Sequence, residues 1–209
     1  GAGLDLVKAP QPLPEAGNAM YNRIQGLVPG KQVLVAFDYD ATQSPEMDVL
    51  ARVVMRHLVA RQAHIEVVSL YPAGPAVAQV VISSTVPVTS PIKMDVANRG
   101  YVPGQATAVA SLVSKLEDKD HPIDMVIELA ATPDTLRWWV EQMAARPQPL
   151  LAGVSASVEP VAQPYAASPQ LKGLLAGVPG AISYQRQLQG TLPRDEQKGL
   201  VELLAPLNS

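Results

Sequence analysis

Two carboxylates at the end of an apolar segment are the residues best placed to do chemistry in this chain. The run from Val33 to Phe37 is apolar, and it stops at Asp38 and Asp40. The segment 44–46 then reads Ser-Pro-Glu, which is typical of a helix start. A buried parallel strand followed by a helix brings polar side chains to the carboxyl edge of a sheet, where open α/β folds usually carry their function.

The segment Asp38-Tyr39-Asp40-Ala41-Thr42 resembles the DxDxT motif of phosphatases of the haloacid dehalogenase class. The resemblance implies that Asp38 attacks phosphorus and that Asp40 protonates the leaving group, with both beside Mg²⁺. It also implies that Ser69, at the end of the second apolar segment, contacts phosphate. Under this hypothesis Mg²⁺ is the cofactor; outside it the sequence identifies no particular cofactor.

The resemblance covers only a short part of the chain and lacks the late acidic pair of that class. The apolar segment at residues 123–129 ends in Glu128-Leu129 and is followed by two alanines. Lys115 and Lys119 precede that segment. Because Mg²⁺ needs several hard oxygen ligands, the metal site is incomplete in the sequence, and whether the chain is an enzyme stays open.

Ser155 lies in Gly153-Val154-Ser155-Ala156-Ser157, which is similar to the GxSxG nucleophile elbow except that its last glycine is a serine. A hydrolase with that elbow needs a histidine later in the chain, and His57, His64 and His121 all come earlier. Ser155 is therefore predicted to be a small residue at the end of a buried strand, with ligand contact as the alternative.

The segment from Asn98 to Gln105 combines Arg99, Gly100, Tyr101 and Gly104 just before a predicted helix. Free N–H groups at a helix start can hold an anion, and Arg99 adds positive charge. The chain has neither a Walker A loop nor GxGxxG, which argues against ordinary dinucleotide binding. These four residues are predicted either to contact a ligand or partner, or to form a tight turn.

The composition excludes several classes of site. The chain of 209 residues has no cysteine, which excludes disulfides, thiolate catalysis and zinc–thiolate sites. Its formal net charge is −3 without a basic stripe, so no nucleic-acid partner is expected. No apolar run reaches the roughly 18 residues of a membrane span, and the three histidines fit no zinc spacing.

Short apolar segments alternate with amphipathic ones, which is typical of βαβ units around a parallel sheet. The predicted strands cover residues 32–38, 64–70, 95–98, 123–129 and 149–155, and the predicted helices between them cover residues 45–61, 75–84, 105–117 and 132–145. The later pattern is weaker and predicts helices at residues 168–175, 181–188 and 195–204.

We therefore predict an α/β fold, a three-layer α/β/α sandwich with a mostly parallel sheet of about five strands, Rossmann-like or flavodoxin-like. A single domain is expected over residues 32–209, with a helical C-terminal part. A proline-rich segment, residues 1–31, precedes it and contains a short helix at residues 15–27.

Two apolar features are candidates for contact with a protein partner or a second copy of the chain. Trp138 and Trp139 point about 100° apart on the predicted helix, so one packs inward and the other reaches the rim. An exposed Trp often marks an interface, whereas plain packing is the favoured role of this pair. The segment 171–182 is apolar and glycine-rich, and covering a sheet edge is its alternative role.

Three hypotheses about function follow. As a whole the chain resembles uncharacterised bacterial α/β domains that accompany transmembrane segments in larger proteins. With a proline-rich opening suited to a tether, this implies a binding or assembly module held at the cell envelope, which we favour over the cytoplasm. The alternatives are the Mg²⁺-dependent phosphatase and a module that binds a small anion or nucleotide.

Overall fold

The computed structural model describes residues 11–86 and 89–191, so the helix predicted at residues 195–204 lies outside the described part. The strands are β1 Gln32–Asp38, β2 His64–Ser69, β3 Asp95–Tyr101, β4 Met125–Ala130, β5 Leu150–Val154 and β6 Leu174–Ala176. The helices are α1 Glu15–Gln25, α2 Ser44–Ala60, α3 Gly74–Thr85, α4 Ala106–Ser114, α5 Pro133–Met143, α6 Glu159–Ala166 and α7 Gly177–Thr191.

The six strands form one parallel sheet in the order β3-β2-β1-β4-β5-β6. This confirms the predicted α/β fold with a parallel sheet, and the order is that of the Rossmann fold rather than of flavodoxin. The chain changes direction along the sheet between β1 and β4, which leaves a crevice at their carboxyl ends. In open α/β sheets such a crevice is the usual ligand site.

The prediction of a helix over residues 168–175 is wrong, because the end of this segment forms the sixth strand. Leu174 pairs with Ala152, and Ala176 pairs with Val154. This strand has only three residues, so its sequence carries no readable alternation. The segment 171–182 thus extends the sheet and begins α7, which matches its alternative role at a sheet edge.

Helices cover both faces of the sheet, and the sheet separates two apolar cores. Val33, Val35 and Phe37 face α1, α2, α3 and α7, whereas Leu34 and Ala36 face α4, α5 and α6. Alternate residues of a strand point to opposite faces, so a strand that is covered on both sides is a continuous apolar run. This explains the uninterrupted run before Asp38.

Helix α2 differs from its predicted surroundings. Arg56 lies off the apolar stripe of this helix, at a position where solvent exposure is normal, but it is 2% exposed because α1 and α7 also pack against α2. Ser44 is the first residue of the helix rather than its cap, and no side chain caps this helix start.

Strand β3 is longer than predicted, and it contains a bulge. Residues 95–98 were predicted as the strand and Arg99–Gly104 as a turn, but the pairing with β2 continues to Tyr101. Val67 pairs with Asn98 and Val68 pairs with Gly100, so Arg99 is the extra residue. Gly100 has a φ of +94°, which a glycine adopts at no steric cost.

Helix α1 docks against the residue that precedes β6. A Cβ atom added to Gly173 would lie 2.5 Å from the Cα of Met20, so the two backbones approach closely only because residue 173 is glycine. Met20, Tyr21 and Ile24 of this helix are buried in the same core as α2 and α7. The helix predicted at residues 15–27 is therefore a packed part of the fold.

A buried histidine joins three of these helices. His57 Nε2 lies 2.8 Å from Gln25 Oε1, and His57 Nδ1 lies 2.5 Å from the Tyr184 hydroxyl. The amide oxygen can only accept, so Nε2 carries the proton and Nδ1 accepts from Tyr184. Burial, with a smaller effect of the Arg61 charge, lowers the pKa of His57 to about 3.

We expect the His57→Gln variant to remove an acid-dependent loss of stability. The folded protein keeps His57 neutral, while the unfolded chain protonates it below its ordinary pKa of 6.5, so stability falls as the pH falls through this range. From pH 6.5 to pH 5.0 the stability advantage of wild type over the variant should shrink by about 2 kcal/mol.

Urea unfolding of both proteins at each pH measures this difference, in which other titrating groups cancel. The His121→Gln variant is the matched control, since His121 is exposed. If the stability advantage of wild type over His57→Gln were the same at pH 6.5 and pH 5.0, His57 would not be held neutral in the folded protein.

Candidate functional site

The Asp38 carboxylate is sealed inside the protein at the end of β1. It is 0% exposed, and its two oxygens accept hydrogen bonds from the Leu70 N–H and from the Trp139 indole N–H, both at 2.8 Å. Asp38 thereby links β1 to the end of β2 and to α5. In this arrangement the carboxylate serves packing between elements, and it offers no free oxygen to a substrate.

Glu128 lies beside Asp38 on the same face of the sheet. In the register Ala36 pairs with Glu128 and Asp38 pairs with Ala130, so the two acids are diagonal neighbours on adjacent strands. Glu128 is 0% exposed, and no N–H group donates to either of its carboxyl oxygens. The nearby indole N–H of Trp139 donates its hydrogen bond to Asp38 instead.

A proton on Glu128 explains how these two acids can be buried side by side. Burial raises the pKa of Glu128 well above its usual value, and the negative charge of Asp38 raises it further. Burial also raises the pKa of Asp38, while hydrogen bonds from Glu128, Leu70 and Trp139 oppose that rise. Two neighbouring buried carboxylates cannot both ionise cheaply, so Glu128 keeps its proton beside the ionised Asp38.

Ser69 is also buried, and its hydroxyl is occupied. It donates to the Phe37 carbonyl oxygen at 2.6 Å and accepts from the Tyr71 N–H at 3.0 Å. Gly74 at the start of α3 packs closely against it. A Cβ atom added to Gly74 would lie 1.8 Å from the Ser69 oxygen, so only glycine fits at this position. The hydroxyl therefore fixes the β2–α3 turn in this structure.

Asp40, in contrast, lies in the exposed loop between β1 and α2. One oxygen accepts from the Thr42 N–H at 2.9 Å and from the Thr42 hydroxyl at 2.6 Å, and these bonds lower the pKa of Asp40. Asp40 therefore stays ionised and shapes its own turn. It does not share a cleft with the sealed carboxylate of Asp38.

The crevice at the carboxyl ends of β1 and β4 carries negative charge. Besides Asp40, the Glu46 carboxylate in the first turn of α2 accepts from the Ala156 N–H at 3.0 Å. A side-chain anion thus already lies at the helix start, where the phosphate of a bound nucleotide usually sits in this fold. A second anion at this place would be repelled.

Ser155 ends β5 and is 4% exposed. Its hydroxyl lies 3.0 Å from that of Ser157, and its N–H donates to the Ala130 carbonyl. No histidine is among its hydrogen-bond partners in the described part of the chain. Its position fits the predicted structural role, and contact with a ligand stays a prediction.

The bulge at Arg99 lies beside an open groove on the α4 side of the sheet. The groove has a volume of about 440 Å³ and lies between α4 and strands β2 and β3. Bulges are common at sheet edges and next to functional sites, where they redirect a side chain. Arg99 lines the groove and donates to the Glu66 carboxylate at 3.3 Å.

The walls of this groove combine charged and apolar side chains. Glu66 and Arg99 lie on the strands, Lys115 lies just after α4, and His121 lies in the loop that precedes β4. The apolar part consists of Leu34, Val68, Val102, Leu112, Leu116 and Ile123. A cavity of this size with an apolar base and a few polar groups has the usual make-up of a small-molecule site.

The other predicted ligand residues lie around β3 but do not line this groove. Gly100 follows the bulge, and Tyr101 ends the strand with 43% of its surface exposed. Gly104 has a φ of +120°, which favours glycine in the turn before α4. Their role in ligand binding stays a prediction.

The candidate residues thus fall into two places. Asp38 and Glu128 come together and are buried, and Ser69 is buried with separate partners at the end of β2. Arg99 lies at the groove. Sequence reasoning missed Glu66 and Lys115 as groove residues. A signal was available for Glu66, which is the polar residue inside the apolar segment HIEVVS.

The two tryptophans differ in solvent exposure. Trp139 is fully buried, so its surface is not available to a partner. Trp138 is half-buried and packs against the same core from its margin. The predicted contact with a protein partner can therefore involve only Trp138 of this pair.

Within residues 11–86 and 89–191, no group of three or more His, Asp or Glu side chains is arranged to hold a metal ion. Over the same residues, no helix combines the length and apolarity needed to cross a membrane.

No protein-family model matches this chain, and no curated protein matches it. Among solved structures the chain is similar to the crystal structure of levodione reductase, with 14% sequence identity and a TM-score of 0.38. The alignment covers 84% of this chain and 83% of that chain. A similarity this low carries no argument about activity, and the fold assignment rests on the sheet itself.

Proposed function

We propose that this α/β domain is a binding module whose ligand site is the groove between α4 and strands β2 and β3. The observation that carries the proposal is the bulge at Arg99, which places a cation beside an apolar cavity of about 440 Å³. Positively charged and apolar groups in one concave site provide both orientation and binding free energy for a small molecule.

The phosphatase alternative has less support from the same geometry. Its nucleophile would be Asp38, whose oxygens are buried and already accept two N–H groups. Its acid–base residue would be Asp40, which lies in an exposed turn and bonds to Thr42. Nucleotide binding at the β1–β4 crevice also has less support, because Asp40 and Glu46 make that edge negative.

An NMR screen with small organic fragments tests the proposal on the whole chain. We expect the fragments that bind to shift backbone resonances of Val68, Val102 and Leu112, which line the groove. Binding should be lost in the Leu112→Arg variant, because its long side chain fills the groove. The Leu112→Ala variant, which leaves the groove open, is the matched control.

Two results would contradict the proposal. One is a screen in which no fragment shifts the groove residues. The other is Mg²⁺-dependent hydrolysis of p-nitrophenyl phosphate that is lost in Asp40→Asn, since that change removes an exposed carboxylate without disturbing the buried pair. Attachment to a bacterial envelope stays a prediction from the sequence.

A further inference from the structure

We infer that the groove accepts a small organic acid with an apolar body, and that Arg99 holds its carboxylate. The inference rests on the proposed function, because it names the class of ligand for the same groove. Three features support this ligand class: the charged groups at the rim, the apolar base of the groove, and the direction that the bulge gives to Arg99.

The charges around the groove leave a cation facing outward. The Glu66 side chain is 14% exposed. Its Oε1 atom lies 3.3 Å from Arg99 Nη2 and 3.8 Å from His64 Nε2. The Arg99 side chain is 54% exposed and makes one contact with Glu66 through a single terminal nitrogen. Four of the five N–H groups of a guanidinium therefore stay available to a ligand.

One further cation and one further acid, Lys115 and Asp118, lie at the rim. Lys115 is exposed and makes no ion pair within the described part of the chain. Asp118 is the second acid at the rim, and one of its oxygens accepts the N–H of Asp120 in its own turn. Glu66 and Asp118 offset the charges of Arg99 and Lys115, so the exposed N–H groups of Arg99, rather than a net positive charge, would hold a ligand carboxylate.

The base of the groove selects the rest of the ligand. Leu34, Val68, Val102 and Leu112 line it and make its base apolar. A guanidinium binds a carboxylate through two parallel hydrogen bonds, which fixes the direction of the attached chain. The apolar body of the acid then covers the leucine and valine side chains.

A series of soluble straight-chain acids tests this inference by NMR titration of the whole chain. Butyrate, pentanoate and hexanoate should bind with affinity that rises up to about fourfold per added methylene, as expected for burial of apolar surface. Hexanol should bind at least tenfold more weakly than hexanoate, since a hydrogen bond to a charged group contributes about that factor or more. Hexylamine should be weaker still.

Substitutions identify the residue that recognises the carboxylate. The Arg99→Gln variant should weaken hexanoate at least tenfold and leave hexanol within about twofold. The Arg137→Gln variant is the matched control, since Arg137 is an exposed arginine that pairs with Asp134 on α5. It should leave both affinities unchanged.

Two outcomes would overturn the inference. The first is unchanged hexanoate binding in Arg99→Gln, and the second is a set of hexanoate-induced shifts that lies away from the groove. If neutral or cationic fragments occupy the groove while hexanoate does not, the ligand class is wrong and the proposed groove stands. If no fragment binds there at all, the proposed function itself fails.

Discussion

Replacement of Gly173 by alanine is expected to destabilise the domain by about 3 kcal/mol, the upper end of the usual cost of overpacking a core. The added Cβ atom would lie 2.5 Å from Met20 Cα and 2.6 Å from Met20 N. These are backbone atoms on the packed face of α1, so no side-chain rotation can relieve the overlap. Helix α1 must move away from β6 and lose part of its packing.

Urea unfolding measures the loss, and hydrogen exchange locates it. The amides of α1 should exchange faster in the variant, by a larger factor than those of β1. The matched control is Gly190→Ala in α7, where an added Cβ atom meets nothing within 4 Å. That change should leave the stability unchanged or raise it by up to about 1 kcal/mol. Equal stability of both variants would show that α1 is not held against Gly173.

The second large effect concerns the buried acids, and it appears as a dependence of stability on pH. The folded protein keeps a proton on Glu128 that the unfolded chain releases above the ordinary pKa of 4.5. Stability is therefore fully present below this value and is lost as the pH rises towards the raised pKa. The loss amounts to about 1.4 kcal/mol per pH unit within that range.

The Glu128→Gln variant should remove this loss, because an amide keeps the shape of the neutral acid and does not ionise. We expect the variant to be at least as stable as wild type at pH 8, with a flatter profile between pH 6.5 and pH 8. His57 titrates equally in both proteins, so its contribution cancels in the comparison. Urea unfolding at half-unit steps of pH gives both profiles.

The control for net charge is Glu117→Gln, which removes one negative charge at an exposed position. It should leave the profile of wild type unchanged. A Glu128→Gln variant that is less stable than wild type at pH 8 and equally sensitive to pH would show that Glu128 is ionised in the folded protein.

The sequence predicted the parts of the fold that are long and strongly patterned. The strands at Val33, Ile65, Val126 and Leu151 are buried on both faces, so each is an apolar run that stands out from its surroundings. The sixth strand is different, because its three residues are held by pairing with β5 rather than by their own pattern. Only the folded register could reveal it.

The candidate site was harder to predict, because its geometry depends on contacts between distant residues. Asp38 was found as a candidate at a strand end, but its burial depends on Trp139, about 100 residues later. Arg99 was also found, although Gly100 was interpreted as part of a turn. A glycine inside a strand is a known sign of a bulge, and this signal predicts the extra residue that the register shows.

The contact between Met20 and Gly173 also determines when the fold can be completed during synthesis. Helix α1 emerges from the ribosome first, yet the surface it docks on is made roughly 150 residues later. At the usual rate of translation this interval lasts about 10 to 30 s. During that time the apolar side chains of Met20, Tyr21 and Ile24 lack part of their final packing, and a chaperone that captures nascent chains would find them accessible.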